Sequence, residues 1–264
     1  MLKSEDKRVE VSGGEVFVRR WRPVAETDGP AIVLLHDSLG CVELWRDFPQ
    51  QLAERLACEV VAYDRLGFGQ STERRDSLSH SFIDDEADSV FPLLCSALGL
   101  EKVIPFGHSV GGAMAIAIAG SDAESGLCAS VITESAQAFV EERTKTGIEA
   151  AKEHFSNPDN FARLGKYHGA RARWVLDAWT ETWLHPKFSS WSLKSHLTSV
   201  RCPVLAMHGD NDEFGSVAFP KLIAETVAGY SQAAIFTGLG HVPHREDSQV
   251  VLAKVSAFLQ ESGD

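Results

Sequence analysis

Cysteine is scarce in this sequence, and its spacing fits neither a disulfide framework nor a structural zinc site. The 264 residues contain five cysteines. Their number is odd, they lie far apart and no C-x-x-C pair occurs. We therefore expect free thiols in a reducing compartment, which predicts a cytoplasmic protein. The cysteines are Cys41, Cys58, Cys95, Cys128 and Cys202.

Long apolar runs and an excess of basic charge are also missing. The run VGGAMAIAIAG (110–120) is too short to span a bilayer, and the opening MLKSEDKRVE lacks the apolar core of a signal peptide. Lysine and arginine total 25 against 37 aspartates and glutamates, so the formal net charge is −12. This charge disfavours nucleic acid and anionic membranes as partners. We expect a small-molecule substrate; oligomeric state stays open, a homo-oligomer included.

What is present is an alternation of short apolar runs and helical patterns. The apolar runs do not alternate with polar residues, as is typical of strands buried on both faces of a parallel sheet. A Ser12-Gly13-Gly14 turn predicts a hairpin over 9–20. Together these patterns predict an α/β fold with a mainly parallel central sheet and flanking helices. The predicted strands are 31–36, 59–64, 102–107, 129–134, 203–209 and 233–238, and the predicted helices are 44–57, 83–98, 110–119 and 247–260.

The segment 136–195 interrupts this alternation. It contains no convincing strand and holds four of the six tryptophans: Trp174, Trp179, Trp183 and Trp191. One interpretation is an additional helical layer. We favour a helical cap over a pocket, because ligand sites often lie between a core and an added element. The predicted division is a core of 1–135 and 196–264 with a cap insertion of 136–195.

The stretch FGHSVGG (106–112) raises the question of whether Ser109 is a nucleophile. It lies between a predicted strand and a helix of small residues, and a glycine stands two residues away on each side. Such a turn exposes a strained serine at the carboxyl edge of the sheet. The N–H of Val110 begins the helix, where the positive end of the helix dipole favours an oxyanion.

A serine hydroxyl needs a base, and the base needs an orienting acid. His241, in GLGHVPH, follows the last predicted strand and is favoured by its loop position over His244. HGDND (208–212) supplies Asp210 and Asp212 at the end of another strand, and the order Ser, Asp, His fits a hydrolase. The order does not choose between the two aspartates. Either one could instead cap a turn.

Oxyanion donors are expected from two places. One is the Val110 N–H, and the other is the loop HDSLG (36–40), where the Ser38 N–H is the natural donor. We also expect His36 and Leu39 of this loop, and Trp183 of the insertion, to bind substrate.

HDSLG, DRLGFGQS (64–71), GHSVGG and the pair HGDND/GLGH together resemble the α/β-hydrolase superfamily over about 30–133 and 200–260. The resemblance implies a cofactor-free and metal-free serine hydrolase with Ser109 as nucleophile, Asp212 as acid and His241 as base. One position departs from the pattern, since Asp37 stands where the family usually has glycine. We expect Asp37 to point away from the site and hold the loop by local hydrogen bonds; the alternative is that it binds a cationic or hydroxyl group of the substrate.

The predicted reaction is hydrolysis of a small, fairly apolar carboxylic ester, thioester or lactone through an acyl-enzyme on Ser109. Alternatives are C–C bond hydrolysis of a diketone-like substrate and a lyase or peroxide-using variant. A non-catalytic, ligand-sensing protein on the same fold is a further alternative. Epoxide hydrolysis and dehalogenation are disfavoured, because relatives with those activities carry aspartate where this chain has Ser109.

Overall fold

The computed structural model describes residues 2–24 and 29–262, and in them eight strands form one sheet in the order β1-β2-β4-β3-β5-β6-β7-β8. The strands β3 to β8 are mutually parallel, whereas β1 and β2 add an antiparallel hairpin at one edge. The predicted α/β fold with a mainly parallel sheet is confirmed. The strands are β1 (Leu2–Val11), β2 (Gly14–Pro23), β3 (Ala31–Leu35), β4 (Val60–Tyr63), β5 (Val103–His108), β6 (Val131–Glu134), β7 (Val204–Gly209) and β8 (Ser231–Phe236).

Eleven helices in the described ranges flank this sheet. They are α1 (Phe48–Leu56), α2 (Phe82–Asp85), α3 (Phe91–Leu98), α4 (Val110–Ser121), α5 (Glu142–His154), α6 (Pro158–His168), α7 (Ala172–Trp183), α8 (Lys194–Leu197), α9 (Ala218–Thr226), α10 (Pro243–Glu246) and α11 (Ser248–Ser262). A π-helical turn, Glu86–Val90, joins α2 to α3. Of these helices, none is long and apolar enough to cross a membrane.

The central strands are buried on both faces, as their continuous apolar sequences predict. Alternate residues of one strand point into different cores: Val33 and Leu35 join one cluster, and Ile32 and Leu34 join the other. The helix α4 lies in the first cluster and is buried over nearly its whole length, because its small side chains allow close packing against the sheet.

The segment after β6 carries α5, α6, α7 and α8 before the chain returns to the sheet at β7. The sequence-based expectation of helices here therefore agrees with the elements observed. The division of the chain into a core and a cap stays a prediction. In a parallel sheet the carboxyl ends of the strands meet at one edge, so the loops after β3, β5, β6, β7 and β8 come together there.

Candidate active site

Ser109 occupies a strained turn between β5 and α4. Its backbone angles are φ 57° and ψ −123°, a region that non-glycine residues rarely adopt. The flanking glycines make the turn possible. A Cβ on Gly107 would lie 2.0 Å from the Gly111 carbonyl oxygen, and a Cβ on Gly111 would lie 2.1 Å from that of Leu35. The spacing of glycines around the serine thus reflects backbone contacts that exclude any side chain.

His241 lies on the loop after β8 and contacts Asp212, which follows β7. The His241 Nδ1 is 2.8 Å from Asp212 Oδ2, and the carboxylate is fully buried. The other carboxylate oxygen, Oδ1, accepts hydrogen bonds from the N–H groups of Phe214 (2.7 Å) and Gly215 (3.2 Å). Burial by itself raises the pKa of Asp212, but the hydrogen bond from His241 and these backbone donors lower it below its usual value. An ionised Asp212 holds the Nδ1–H tautomer of His241.

A second histidine, His208, contacts the same carboxylate. It is fully buried on β7, and its Nε2 lies 3.2 Å from both Asp212 Oδ2 and the Gly215 carbonyl oxygen. Since a carbonyl oxygen only accepts, Nε2 carries the hydrogen. Burial lowers the pKa of His208, so the ring is neutral. The sequence analysis did not identify this residue, although it begins the HGDND motif.

A cavity of about 460 Å³ opens beside Ser109 and His241. Its size is that of a site for a small organic molecule. Most of its wall is apolar, and two of the inserted helices, α5 and α7, contribute much of it. The lining residues are Asp37, Ser38, Leu39, Ser109, Gln137, Thr144, Gly147, Ile148, Ala150, Ala151, His154, Phe155, Trp179, Trp183, Glu213, Phe214 and His241.

Gln137 is a cavity residue that the sequence analysis missed. It follows β6, is almost fully buried, and its Oε1 accepts a hydrogen bond of 3.3 Å from the Ser109 hydroxyl. The serine hydroxyl therefore points to Gln137. Its position after a predicted strand placed Gln137 near the carboxyl edge of the sheet, but a single glutamine there belongs to no recognisable motif.

The two expected oxyanion donors belong to different elements beside the nucleophile. Val110 follows Ser109 directly and opens α4, whereas Ser38 lines the cavity from the loop after β3. In the described ranges neither N–H donates a hydrogen bond to another part of the protein. Both are therefore available to a substrate oxygen, and their role stays a prediction.

Of the three expected substrate-binding residues, the structure brings two to the cavity. Leu39 and Trp183 line it, whereas His36 is 2% exposed and lies behind it. The His36 Nδ1 contacts the Asp37 carbonyl oxygen at 2.8 Å, and its Nε2 accepts the Arg65 N–H at 3.1 Å. The expected substrate contact of His36 stays a prediction. One of its ring nitrogens contacts the backbone of its own loop, and the other contacts the backbone of Arg65, in the loop after β4.

One group of side chains in the described residues could hold a metal ion. His108, Glu134 and His244 are all buried, and one ligand atom from each lies within 4.8 Å of the others. These atoms already have partners within the protein. The His244 Nδ1 lies 2.5 Å from a Glu134 oxygen, and the His108 Nε2 contacts a backbone carbonyl oxygen. The group is thus occupied by its own hydrogen bonds and ion pairs.

The inserted segment also holds the loop that carries Asp212. Arg143 donates to the Asp212 carbonyl oxygen (3.2 Å), and the Thr144 hydroxyl donates to the Phe214 carbonyl oxygen (2.8 Å). Just before α5, Glu141 accepts hydrogen bonds from the N–H and hydroxyl of Ser216. The start of α5 and the acid loop are therefore connected by several polar contacts.

Comparison with known proteins agrees with this geometry. A model of the alpha/beta hydrolase family matches residues 32–254. The chain belongs to this family. It is 25% identical over 238 residues to a proline iminopeptidase of Saccharolobus solfataricus, covering 76% of each chain.

Two further comparisons extend over different parts of the chain. The protein phosphatase methylesterase 1 of Bos taurus is 29% identical over 154 residues, which are 54% of this chain and 40% of that protein. A solved 2-hydroxy-6-oxo-6-phenylhexa-2,4-dienoate hydrolase from Rhodococcus superposes with a TM-score of 0.79 and 18% identity, covering 98% of this chain and all of the other. At that identity the superposition shows a shared fold. Hydrolysis is the activity that these names have in common.

Proposed function

We propose that the protein is a serine hydrolase that cleaves a small, neutral, mostly apolar ester, thioester or lactone through an acyl-enzyme. One observation carries the proposal. A strained Ser109 and a His241 that is hydrogen-bonded to the buried Asp212 line the same cavity. This arrangement supports a Ser-His-Asp triad on the chain order expected for the family.

In the proposed reaction, His241 removes the Ser109 proton as the hydroxyl oxygen attacks the substrate carbonyl carbon. Asp212 holds the ring tautomer and stabilises the imidazolium that forms. The N–H groups of Ser38 and Val110 would stabilise the oxyanion. His241 then protonates the leaving alcohol, and water, activated by His241, hydrolyses the acyl-enzyme and releases the acid.

The charge of the cavity favours a neutral substrate over an anionic one. Among the described residues that line it there is no lysine or arginine, and two carboxylates, Asp37 and Glu213, contribute negative charge. A carboxylate on the substrate would have no cation to pair with. This observation favours the ester over the C–C bond alternative, because the dienoate that the Rhodococcus neighbour is named for hydrolysing is an anion.

A second candidate is the removal of an N-terminal residue from a peptide or amide. Glu213 is exposed at the cavity wall, and a carboxylate there would pair with a protonated amine. The iminopeptidase relative motivates the same substrate class.

Hydrolysis of p-nitrophenyl esters from acetate to decanoate, beside prolyl β-naphthylamide, tests both candidates. We expect ester turnover by the wild type and a loss of roughly 10³–10⁶ in Ser109→Ala. Turnover of the amide above the esters would favour the second candidate. Near-normal rates in Ser109→Ala would exclude the triad for either substrate.

A further inference from the structure

A histidine–carboxylate pair with a buried histidine adjoins the proposed nucleophile without taking part in the proposed acyl transfer. His108 immediately precedes Ser109 and is 2% exposed. Its Nδ1 lies 3.3 Å from Asp37 Oδ2, and its Nε2 lies 2.8 Å from the carbonyl oxygen of His241. One imidazole therefore contacts the loop after β3 and the loop after β8 at the same time.

The partners of His108 require hydrogens on both ring nitrogens. A carbonyl oxygen only accepts, so Nε2 must donate to His241, and the carboxylate of Asp37 stabilises a hydrogen on Nδ1. Burial alone lowers the pKa of His108, but the ion pair with Asp37, the charge of Glu134 and the carbonyl oxygen of His241 raise it to about 9. His108 is thus an imidazolium at neutral pH.

Other ionisable groups also face this imidazolium. Glu134 approaches from β6, and the rings of His241 and His244 have centroids 5.1 and 5.2 Å from that of His108. The ring of Trp45 completes the enclosure with a centroid 6.3 Å away. Asp37 and Glu134 therefore place negative charge beside the buried ring of His108.

We propose that Asp37 and His108 form a positioning pair that ties the loop 36–40, with its oxyanion donor, to the loop 237–242, which carries the base. The contacts run without a break from one loop to the other. The Leu39 N–H donates to Asp37 Oδ1 at 2.8 Å, Asp37 Oδ2 pairs with His108, and His108 donates to His241. The role in catalysis rests on the proposed function, since the pair acts by fixing donors and base around Ser109.

A second anchor fixes the same base loop from its far end. Glu134 accepts the His244 N–H at 2.7 Å and pairs with His244 Nδ1 at 2.5 Å. The carbonyl oxygen of His241 and the N–H of His244, three residues apart, are therefore both held by buried ionisable side chains. A base held in this way keeps its ring within reach of the nucleophile.

The pair also accounts for aspartate at position 37. A glycine there would leave the Nδ1 side of His108 without its acceptor, and an unpaired buried imidazolium is strongly unfavourable. Asp37 is 29% exposed in its side chain and lines the cavity, so it does not point fully away from the site as expected. Its hydrogen bond to Leu39 is the local contact that the sequence analysis anticipated; the partner His108 was not anticipated.

The test compares Asp37→Asn, His108→Gln and the double variant. Asparagine keeps an oxygen for the Leu39 N–H and removes the charge, so this near-isosteric variant remains informative even where His108→Gln fails to fold. Asp84→Asn is the matched control, because Asp84 pairs with His196 at 2.8 Å outside the cavity. Serine sites are counted by exhaustive fluorophosphonate labelling, so that loss of folded protein is separated from loss of rate.

We expect each single variant to lower kcat per labelled serine by roughly 10–100-fold with KM within about threefold. The kcat of the double variant should be little lower than that of the more impaired single variant, because both substitutions break the same contact between Asp37 and His108. Asp84→Asn should match the wild type. Wild-type kcat per labelled serine in Asp37→Asn, or strictly multiplicative losses in the double variant, would overturn the proposal.

The pH dependence provides a readout that a merely structural role would not move. Because the pKa of His108 is raised, the contribution of the imidazolium is complete below about 6.5 and is lost as pH rises through about 9. We expect kcat/KM of the wild type to fall around pH 9, where folded His108 loses its proton, and Asp37→Asn to show the fall at lower pH. An unmoved alkaline limb would contradict the pair.

Failure of the proposed function looks different from failure of the pair. A wild type that neither hydrolyses nor labels would refute the hydrolase proposal. The pair is then judged from the ¹⁵N chemical shifts of His108 at pH 8, which should show both nitrogens protonated in the wild type and a neutral ring in Asp37→Asn. A neutral His108 in the wild type would overturn the pairing itself.

Discussion

The two walls of the cavity are formed by different kinds of interaction. The wall at the sheet edge consists of loops in which several polar side chains have defined partners, as with Asp212, His241 and the Asp37–His108 pair. The wall from the inserted helices is mainly apolar, with Ile148, Trp179 and Trp183 facing the cavity. The interactions of the sheet-edge wall depend on direction and distance, whereas those of the helical wall depend on volume and apolar area.

From this difference we expect one wall to determine the reaction rate and the other to determine the choice of substrate. Hydrogen bonds and ion pairs lose their effect when an atom moves by a fraction of an ångström, so the sheet edge tolerates little change. Apolar contacts are non-directional and vary smoothly with area, so the helical wall can change while the reaction continues. Variants of the sheet edge should therefore alter kcat strongly, and variants of the helical wall should alter the choice of substrate.

The largest effect is expected at the sheet edge, from Asp212→Asn. An amide cannot hold the Nδ1–H tautomer of His241 or stabilise its imidazolium, so kcat should fall by about 10⁴. Asp210→Asn is the matched control, since Asp210 is exposed and its Oδ1 accepts only the Gly238 N–H at 2.7 Å in the described residues. Steady-state kinetics on p-nitrophenyl esters measures both. Equal losses in the two variants would remove Asp212 from the proposed triad.

The strands and the serine turn at the sheet edge could be predicted from the sequence, because neighbouring residues in the chain determine each of them. Buried parallel strands give unbroken apolar runs, and the backbone contacts of Gly107 and Gly111 demand glycine on both sides of Ser109. The contacts of Gln137 and of the His108–Asp37 pair could not be predicted, since they join residues that lie far apart in the chain at no fixed spacing. The backbone contacts of His36 were not anticipated for the same reason. A histidine beside a site can equally hold the backbone behind it, and only the fold decides.

An intermediate effect, on selectivity, is expected from Trp179→Ala in the helical wall. Loss of this ring removes apolar contact worth about 1.5–3 kcal/mol. The kcat/KM for long-chain esters should therefore fall roughly 10- to 150-fold, with acetate little changed. Trp174→Ala is the control, because Trp174 bonds to the Asp76 carbonyl oxygen and does not line the cavity. A uniform loss over all chain lengths would show that Trp179 supports the sheet edge instead.

The smallest effect is expected where the two walls meet, in Thr144→Val. The buried Thr144 hydroxyl donates to the Phe214 carbonyl oxygen, so valine leaves that acceptor unpaired and should lower the free energy of unfolding by about 1–2 kcal/mol. Thr180→Val is the matched control, because the Thr180 hydroxyl is buried without a hydrogen-bond partner. Urea unfolding compares them. The same loss in both variants would assign the effect to the substitution and not to the contact.

The most direct test of the central claim is peptide-mapped mass spectrometry of the wild type after reaction with a fluorophosphonate. We expect one phosphonylated residue, Ser109, with much slower labelling in Asp212→Asn and none in Ser109→Ala. Ready labelling at another residue, or an unlabelled Ser109 in protein that is folded, would contradict it.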